Sequence, residues 1–264
     1  MRLTHKLPSF SNVVAGATAT LQLPLGLSFH MLLLEFAGVT LAQMKNIRLE
    51  VNGKVVQKWK DGERLNSMNK HYKRGTATAS SLPIWFIRPE MDDPLQQRVF
   101  AIGTSDVQTL TLLIDIDSAA TAPVLKAHAI KGNQSPIGII TKIKTFPVSF
   151  ATAGEQEIDN LPLPRGARIA AIHLYSPDIT RCELDMNGRN VFELDKTLTA
   201  KIQTDYQRDP QTSDKMSMDF MLEGDMSQAL VLEGVQDFRI RPTLANPGAV
   251  DVVVEYLDQF NGGF

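Results

Sequence analysis

The stretch LPLPRGARIAAIHLYSPDITRCELDMNGR, Leu161 to Arg189, decides the fold, because the chain carries its plan twice. Leu-Pro followed closely by Gly leads into an apolar strand and a short break. An alternating strand then ends in Asn187-Gly188. LPLGLSFHMLLLEFAGVTLAQMKNIRLEVNGK, Leu23 to Lys54, keeps that order and ends in Asn52-Gly53. From Gly26 to Gly53 is 27 positions and from Gly166 to Gly188 is 22, so the spacing is loose while the sequence of features holds.

Working outward, other landmarks keep one offset. Tyr72 and Tyr206 lie 134 apart; Asn52 and Asn187, and Phe86 and Met221, lie 135 apart. Such a period is far beyond the 20–50 residues of solenoid repeats. It is the length of a domain, so it reads as a tandem duplication. The expected organisation is one unit over residues 1–131, a connector over 132–145 and a second unit over 146–264.

Each half reads as short strands separated by turn signals. Residues 1 to 15 read as an arm or a leading strand, with Arg2, His5 and Lys6 in a solvated segment. In the first half strands are expected at Thr18 to Leu23, Phe29 to Phe36, Ile47 to Val51, Val55 to Trp59, Leu82 to Ile87, Arg98 to Ile102, Val107 to Ile116 and Val124 to Ile130. Phe29 to Phe36 is nearly all apolar, as in a strand buried on both faces. Ile47 to Val51 alternates apolar and charged. Asn52-Gly53 and Asn187-Gly188 suit the two positive φ angles of a type I′ hairpin turn. One helix is expected per half. The first is Asp61 to His71, with Asp61 as N-cap and Leu65 and Met68 on one face; the second is Asp195 to Tyr206. The basic run His71 to Arg74 reads as a solvated loop, with contact to an acidic partner as the sharper alternative.

Eight short strands per half, without long alternating helices, predict an all-β chain of two tandem eight-stranded jelly rolls, each with one short helix. The collinear order of LP-x-G, IRLEVNGK, WFIRPEM, LQQRVFAIGT, IDID, LPLPRGARIAAIHL, MDFMLEGD and DFRIR resembles the major capsid proteins of corticoviruses, icosahedral phages with an internal membrane that infect marine bacteria. That resemblance runs over nearly the whole chain and is weakest in the connector and in loops such as Arg208 to Lys215. It implies a double jelly roll whose sandwiches stand upright on the capsid, with three copies forming a pseudo-hexagonal capsomer. It further implies minor capsid or membrane proteins of the virion as partners, and synthesis in the host cytoplasm.

Composition is consistent with such a role. Apolar residues make up 43% and charged residues 21% of 264, near the globular average. A net charge of −2 argues against a protein that coats nucleic acid, so no direct nucleic-acid binding is expected. The most apolar window, Phe29 to Ala42, is broken by Glu35 and Gly38 and is too short to cross a bilayer as a helix. Pro8, Ser9, Ser11 and Asn12 interrupt any signal-peptide core. The single cysteine, Cys182, excludes an intramolecular disulfide and reads as a small core residue.

Motifs for chemistry are sparse. His5, His30, His71, His128 and His173 never come within two positions of one another, unlike the clustered ligands of a metal-dependent cupin. His30 and His173 sit in matching apolar strands and read as core histidines. G-x-S-x-G, H-E-x-x-H and phosphate-loop patterns are absent. No catalytic residue and no organic cofactor is assigned. Glu90, Asp92 and Asp93 form the one loop that could offer several oxygens to a structural Ca²⁺, and Asp115 and Asp117 share one strand face. A glycosidase pair would need two carboxylates across a cleft, which the sequence cannot place. The expectation is therefore a non-enzymatic shell protein; the alternative is a carbohydrate-binding double β-sandwich, such as a phage spike or lectin-like module.

Overall fold

The computed structural model describes residues 2–261. It divides into two compact units, Met1–Ile143 and Lys144–Phe264. The division falls inside the stretch expected to be a connector. Much of that stretch is not loop: β9, Ile139–Phe150, is one strand carrying the chain from one unit into the next.

The first unit contains β1 (Leu3–Lys6), β2 (Thr18–Gln22), β3 (Phe29–Ala37), β4 (Met44–Val51), β5 (Lys54–Asp61), α1 (Gly62–His71), β6 (Ser81–Trp85), α2 (Pro94–Val99), β7 (Leu110–Ile116) and β8 (Val124–Lys131). These strands form two sheets, in the orders β1-β8-β3-β6 and β2-β7-β4-β5. The second unit begins with the later part of β9, which straddles the division, followed by β10 (Gly154–Glu155), β11 (Arg168–Tyr175), β12 (Ile179–Met186), β13 (Arg189–Asp195), α3 (Lys196–Asp205) and β14 (Met216–Asp219). A 3₁₀ turn (Met226–Gln228), β15 (Leu230–Val231), β16 (Phe238–Leu244) and β17 (Gly248–Gln259) complete it. Its sheets run β9-β17-β11-β14 and β10-β16-β12-β13, with β15 as an added pair to β11. Counted within each unit, both have first-eighth-third-sixth facing second-seventh-fourth-fifth, the strand order of a jelly roll.

The first unit has eight strands: of the arm or strand expected at residues 1 to 15 a strand forms, and one expected member is replaced. Leu3–Lys6 is a strand, whereas Arg98 to Ile102 is not: Asp93 caps a short helix that Pro94 opens, and Ile102 makes only an isolated bridge to Phe29. The first unit therefore has two helices instead of one, and the second has α3 plus the 3₁₀ turn. β3 also departs from expectation. Leu32 and Leu34 are buried in the core, while Leu33 is half-buried and Glu35 exposed on the other face. β11 is the strand buried on both faces.

Alternation builds each core. In the first unit Leu21, Leu32, Leu34, Ile47, Leu49, Leu112 and Ile114 are all 0% exposed. In the second, Ile172, Leu174, Cys182, Leu184, Ile240, Val252 and Val254 meet across the sandwich. Each buried Leu, Ile or Val contributes roughly 1.5–3 kcal/mol relative to exposure.

The hairpin turns repeat in detail. Asn52 and Gly53 have φ of 49° and 76°, and Asn187 and Gly188 have 52° and 75°. Each hairpin carries a bulge at the matching place, between Leu49 and Glu50 and between Leu184 and Asp185.

Candidate functional site

The three carboxylates of the Glu90, Asp92 and Asp93 loop differ in their surroundings. Glu90 is buried and turned onto two guanidinium groups: Arg74 donates from Nε to Oε2 at 2.9 Å and from Nη2 to Oε1 at 2.5 Å. Arg88 Nε lies 2.9 Å from Oε1. Burial opposes ionisation of Glu90, but Arg74 and Arg88 overcome it and hold the carboxyl below its ordinary pKa. Asp93 spends Oδ1 on the backbone N–H of Leu95, and Asp92 is exposed. Among the described residues, no group of three or more His, Cys, Asp or Glu could hold a metal ion. Asp115 and Asp117 are paired as well. Asp115 accepts from Thr18, Asn46 and Arg48, and Asp117 pairs with Lys45.

The basic run His71 to Arg74 is not a uniformly solvated loop: His71 and Tyr72 are buried, Arg74 is half-buried and Lys73 is exposed. His71 is 0% and Tyr72 3% exposed. Arg74 and Arg88 stack on the Tyr72 ring at 4.4 and 5.0 Å from its centroid. Lys73 turns the chain with φ of 48°. The same turn ends α3, where Gln207 has φ of 60° and Arg208 donates from Nε to Asp219 Oδ2 at 2.8 Å and from Nη2 to Met221 O at 2.7 Å.

A second bond locks each helix to the following strand. Asn69 Nδ2 donates to Pro83 O at 2.9 Å, and Gln203 Nε2 donates to Ser217 O at 2.6 Å. The hairpin corners are clamped alike. Asn52 Oδ1 accepts from the N–H groups of Gln108 and Thr109; Asn187 Oδ1 accepts from those of Gln236 and Asp237. These clamps are the organised polar features of both units, and sequence reading passed over most of them. Applying the 134-residue offset to polar as well as aromatic positions would have paired Asn69 with Gln203 and Arg74 with Arg208.

Among the described residues, His173 has an arrangement that invites a catalytic reading. Its Nδ1 is 2.8 Å from Ser217 Oγ and its Nε2 3.0 Å from Glu255 Oε1. Ser, His and carboxylate in a row suit nucleophilic catalysis only when the hydroxyl meets a substrate. Here His173, Ser217 and Glu255 are 0%, 4% and 1% exposed. They form a polar ladder across β14, β11 and β17 inside the unit. Cys182 is sealed in the core, where burial pushes its thiol pKa far up and suppresses the reactive thiolate.

Two tandem jelly rolls, clamped in the same way, define a double jelly-roll protein of the viral coat class. The models of the viral coat protein P2 N-terminal and C-terminal domains match residues 4–134 and 140–260. The chain is 32% identical over 263 residues to the major capsid protein P2 of Pseudoalteromonas phage PM2, covering 97% of each. It belongs to the viral coat protein P2 family. The crystal structure of the major capsid protein P2 from bacteriophage PM2 superposes with a TM-score of 0.95 over 99% of this chain and 100% of that one. The STIV MCP matches at 0.71 with 14% identity over 97% of each chain. The PBCV-1 virus capsid matches at 0.65 with 11% identity, over 100% of this chain and 96% of that one. The last two share the fold.

Proposed function

We propose that this chain is the major capsid protein of an icosahedral, internal-membrane-containing dsDNA bacteriophage, and that three copies form a pseudo-hexagonal capsomer. The observation that carries the reading is the 32% identity, along nearly the whole chain, with a relative named as the major capsid protein of a phage. The duplicated strand order supports it. Three copies of a chain with two like sandwiches present six like sandwiches, which can occupy hexagonal lattice positions. Contacts between the first unit of one copy and the second unit of the next are heterologous and close into a ring when the rotation allows. In this reading the protein resides in the virion, is made in the host cytoplasm, and meets minor capsid or membrane proteins of the particle.

Light scattering on the purified protein is the direct test. A mass of three times 29.2 kDa is expected. A strict monomer at high concentration that binds glycans would overturn the reading in favour of a carbohydrate-binding module.

A further inference from the structure

We infer that the open edge of β13, with the outward face of α3 beside it, is the docking surface for the first strand, β1, of a second copy of this chain. The inference rests on the shell-protein reading and adds the surface and the segment that fills it.

The argument starts from β5, the counterpart of β13 at an offset of 135. The edge of β5 is covered inside the first unit. Ile143 pairs with Gln57 in parallel, and Gln57 Nε2 donates to Thr141 O at 2.8 Å. Val56, Gln57 and Trp59 are 3%, 2% and 2% exposed. Among the described residues, β13 has no such cover. It ends its sheet, every second residue is exposed, and Val191 is 40% exposed. An uncovered edge strand with apolar side chains is a template for pairing with another chain.

The adjoining helices differ in the same sense. Ile202 and Tyr206 of the second unit correspond to Met68 and Tyr72 of the first. Met68 and Tyr72 are each 3% exposed, whereas Ile202 is 36% and Tyr206 43% exposed. Leu198, four residues before Ile202, is 53% exposed, so the three form one apolar stripe at i, i+4 and i+8. Identical elements in a duplicated fold are thus covered once and left open once.

The occupant follows from the same equivalence. The chain that covers β5 is the leading part of β9, the first strand of the second jelly roll. Its counterpart, the first strand of the first jelly roll, is β1. β1 also ends its sheet, and Thr4, His5 and Lys6 are exposed. One chain therefore carries both halves of an unmade contact, β1 on one unit and β13 on the other. Copies joined through it associate head to tail.

Charge favours this pairing over like with like. Residues 1–143 hold 16 Lys and Arg against 10 Asp and Glu, a net of +6. Residues 144–264 hold 11 against 19, a net of −8, which together give the −2 of the chain. Arg2, His5 and Lys6 flank or lie on β1, while β13 and α3 together carry three acidic residues (Glu193, Asp195 and Asp205) and three basic ones (Arg189, Lys196 and Lys201), so the charge contrast is one of whole units. Opposite charges steer encounter of unlike units and oppose contact between like ones.

The test is a disulfide between copies. In a Thr4→Cys/Val191→Cys variant, mild oxidation is expected to give covalent dimers and larger species on a non-reducing gel. Neither single variant should give the ladder, and Cys182 is buried and should not contribute. A second variant, Leu198→Asp/Ile202→Asp, is expected to reduce the light-scattering mass to that of one chain without changing the melting temperature. An oligomeric wild type whose double-cysteine variant forms no intermolecular disulfide, or whose aspartate variant folds and keeps its full mass, would overturn this surface and leave the shell reading intact. A strictly monomeric wild type would overturn the shell reading itself.

Discussion

Asn69 and Gln203, 134 positions apart in the chain, make the same bond: each side-chain amide leaves its helix and donates to a carbonyl of the next strand, Pro83 O at 2.9 Å and Ser217 O at 2.6 Å. The acceptors are also 134 apart. The duplication therefore preserves how each helix is fastened to its sandwich, and not only the hydrophobic pattern.

Removing this fastening should destabilise without affecting assembly contacts. Asn69→Ala and Gln203→Ala each leave a buried carbonyl without its partner, at a cost of about 1–3 kcal/mol. Chemical denaturation of the purified protein measures this. Unchanged midpoints in both variants would show that the clamps carry no stability.

The hairpin corners should be intolerant of β-branched residues. Asn52, Gly53, Asn187 and Gly188 all have positive φ, between 49° and 76°. Left-handed backbone costs an L residue with a Cβ roughly 1–2 kcal/mol. Replacing either Asn-Gly pair by Val-Val should lower soluble yield and melting temperature by far more than the same change on an exposed strand face. Wild-type yield and melting would contradict the type I′ assignment.

His173→Leu should destabilise the second unit. It leaves Glu255 buried, 1% exposed, without its histidine partner. Removing one hydrogen-bond partner of a buried polar group typically costs about 1–3 kcal/mol. The melting temperature should fall, and His173→Asn should fall less because an amide can still bond to Ser217 or Glu255. Equal melting for wild type and the Leu variant would remove the ladder from the stability account.

Acid should unfold the first unit partly through Glu90. Its folded pKa lies below the ordinary value of 4.5, because Arg74 and Arg88 outweigh burial. A carboxyl with a depressed folded pKa contributes stability above its unfolded pKa, and that contribution fades as pH falls toward the folded value. Stability should therefore decline as pH drops below about 4.5, and Glu90→Gln should flatten that decline while lowering stability at pH 7. Parallel pH curves for the two proteins would rule out this source.

Cys182 should be silent toward thiol reagents in the native protein and react fully in denaturant. It is buried in the core and its thiol pKa is pushed far up. Rapid labelling under native conditions would show that the second sandwich opens readily.

Much of the fold was legible because local rules agreed with it. Asn-Gly turns, alternation in β4 and β12, and the 134–135 offset all report backbone geometry that depends on neighbouring residues. α2 was passed over, and its last two residues were placed in a strand at Arg98 to Ile102, because six residues hold too little periodicity, although Asp93-Pro94 was a start signal. The surroundings of Glu90 were not legible for a different reason. Whether Glu90 faces solvent or guanidinium depends on Arg74 and Arg88, brought in from a helix end and a strand end.

By itself the sequence determined that a jelly-roll domain occurs twice, where each hairpin turns, and which faces alternate, since those follow from φ preferences and period-two burial along the chain. Only the tertiary structure decided which charges are paired and which edges stay open. The carboxylate of Glu90 and the ladder of Ser217, His173 and Glu255 take their roles from partners up to 82 residues away. Likewise β5 and β13 are similar as hairpin strands, yet one is covered and the other exposed, because coverage is set by which distant segment of chain reaches the edge.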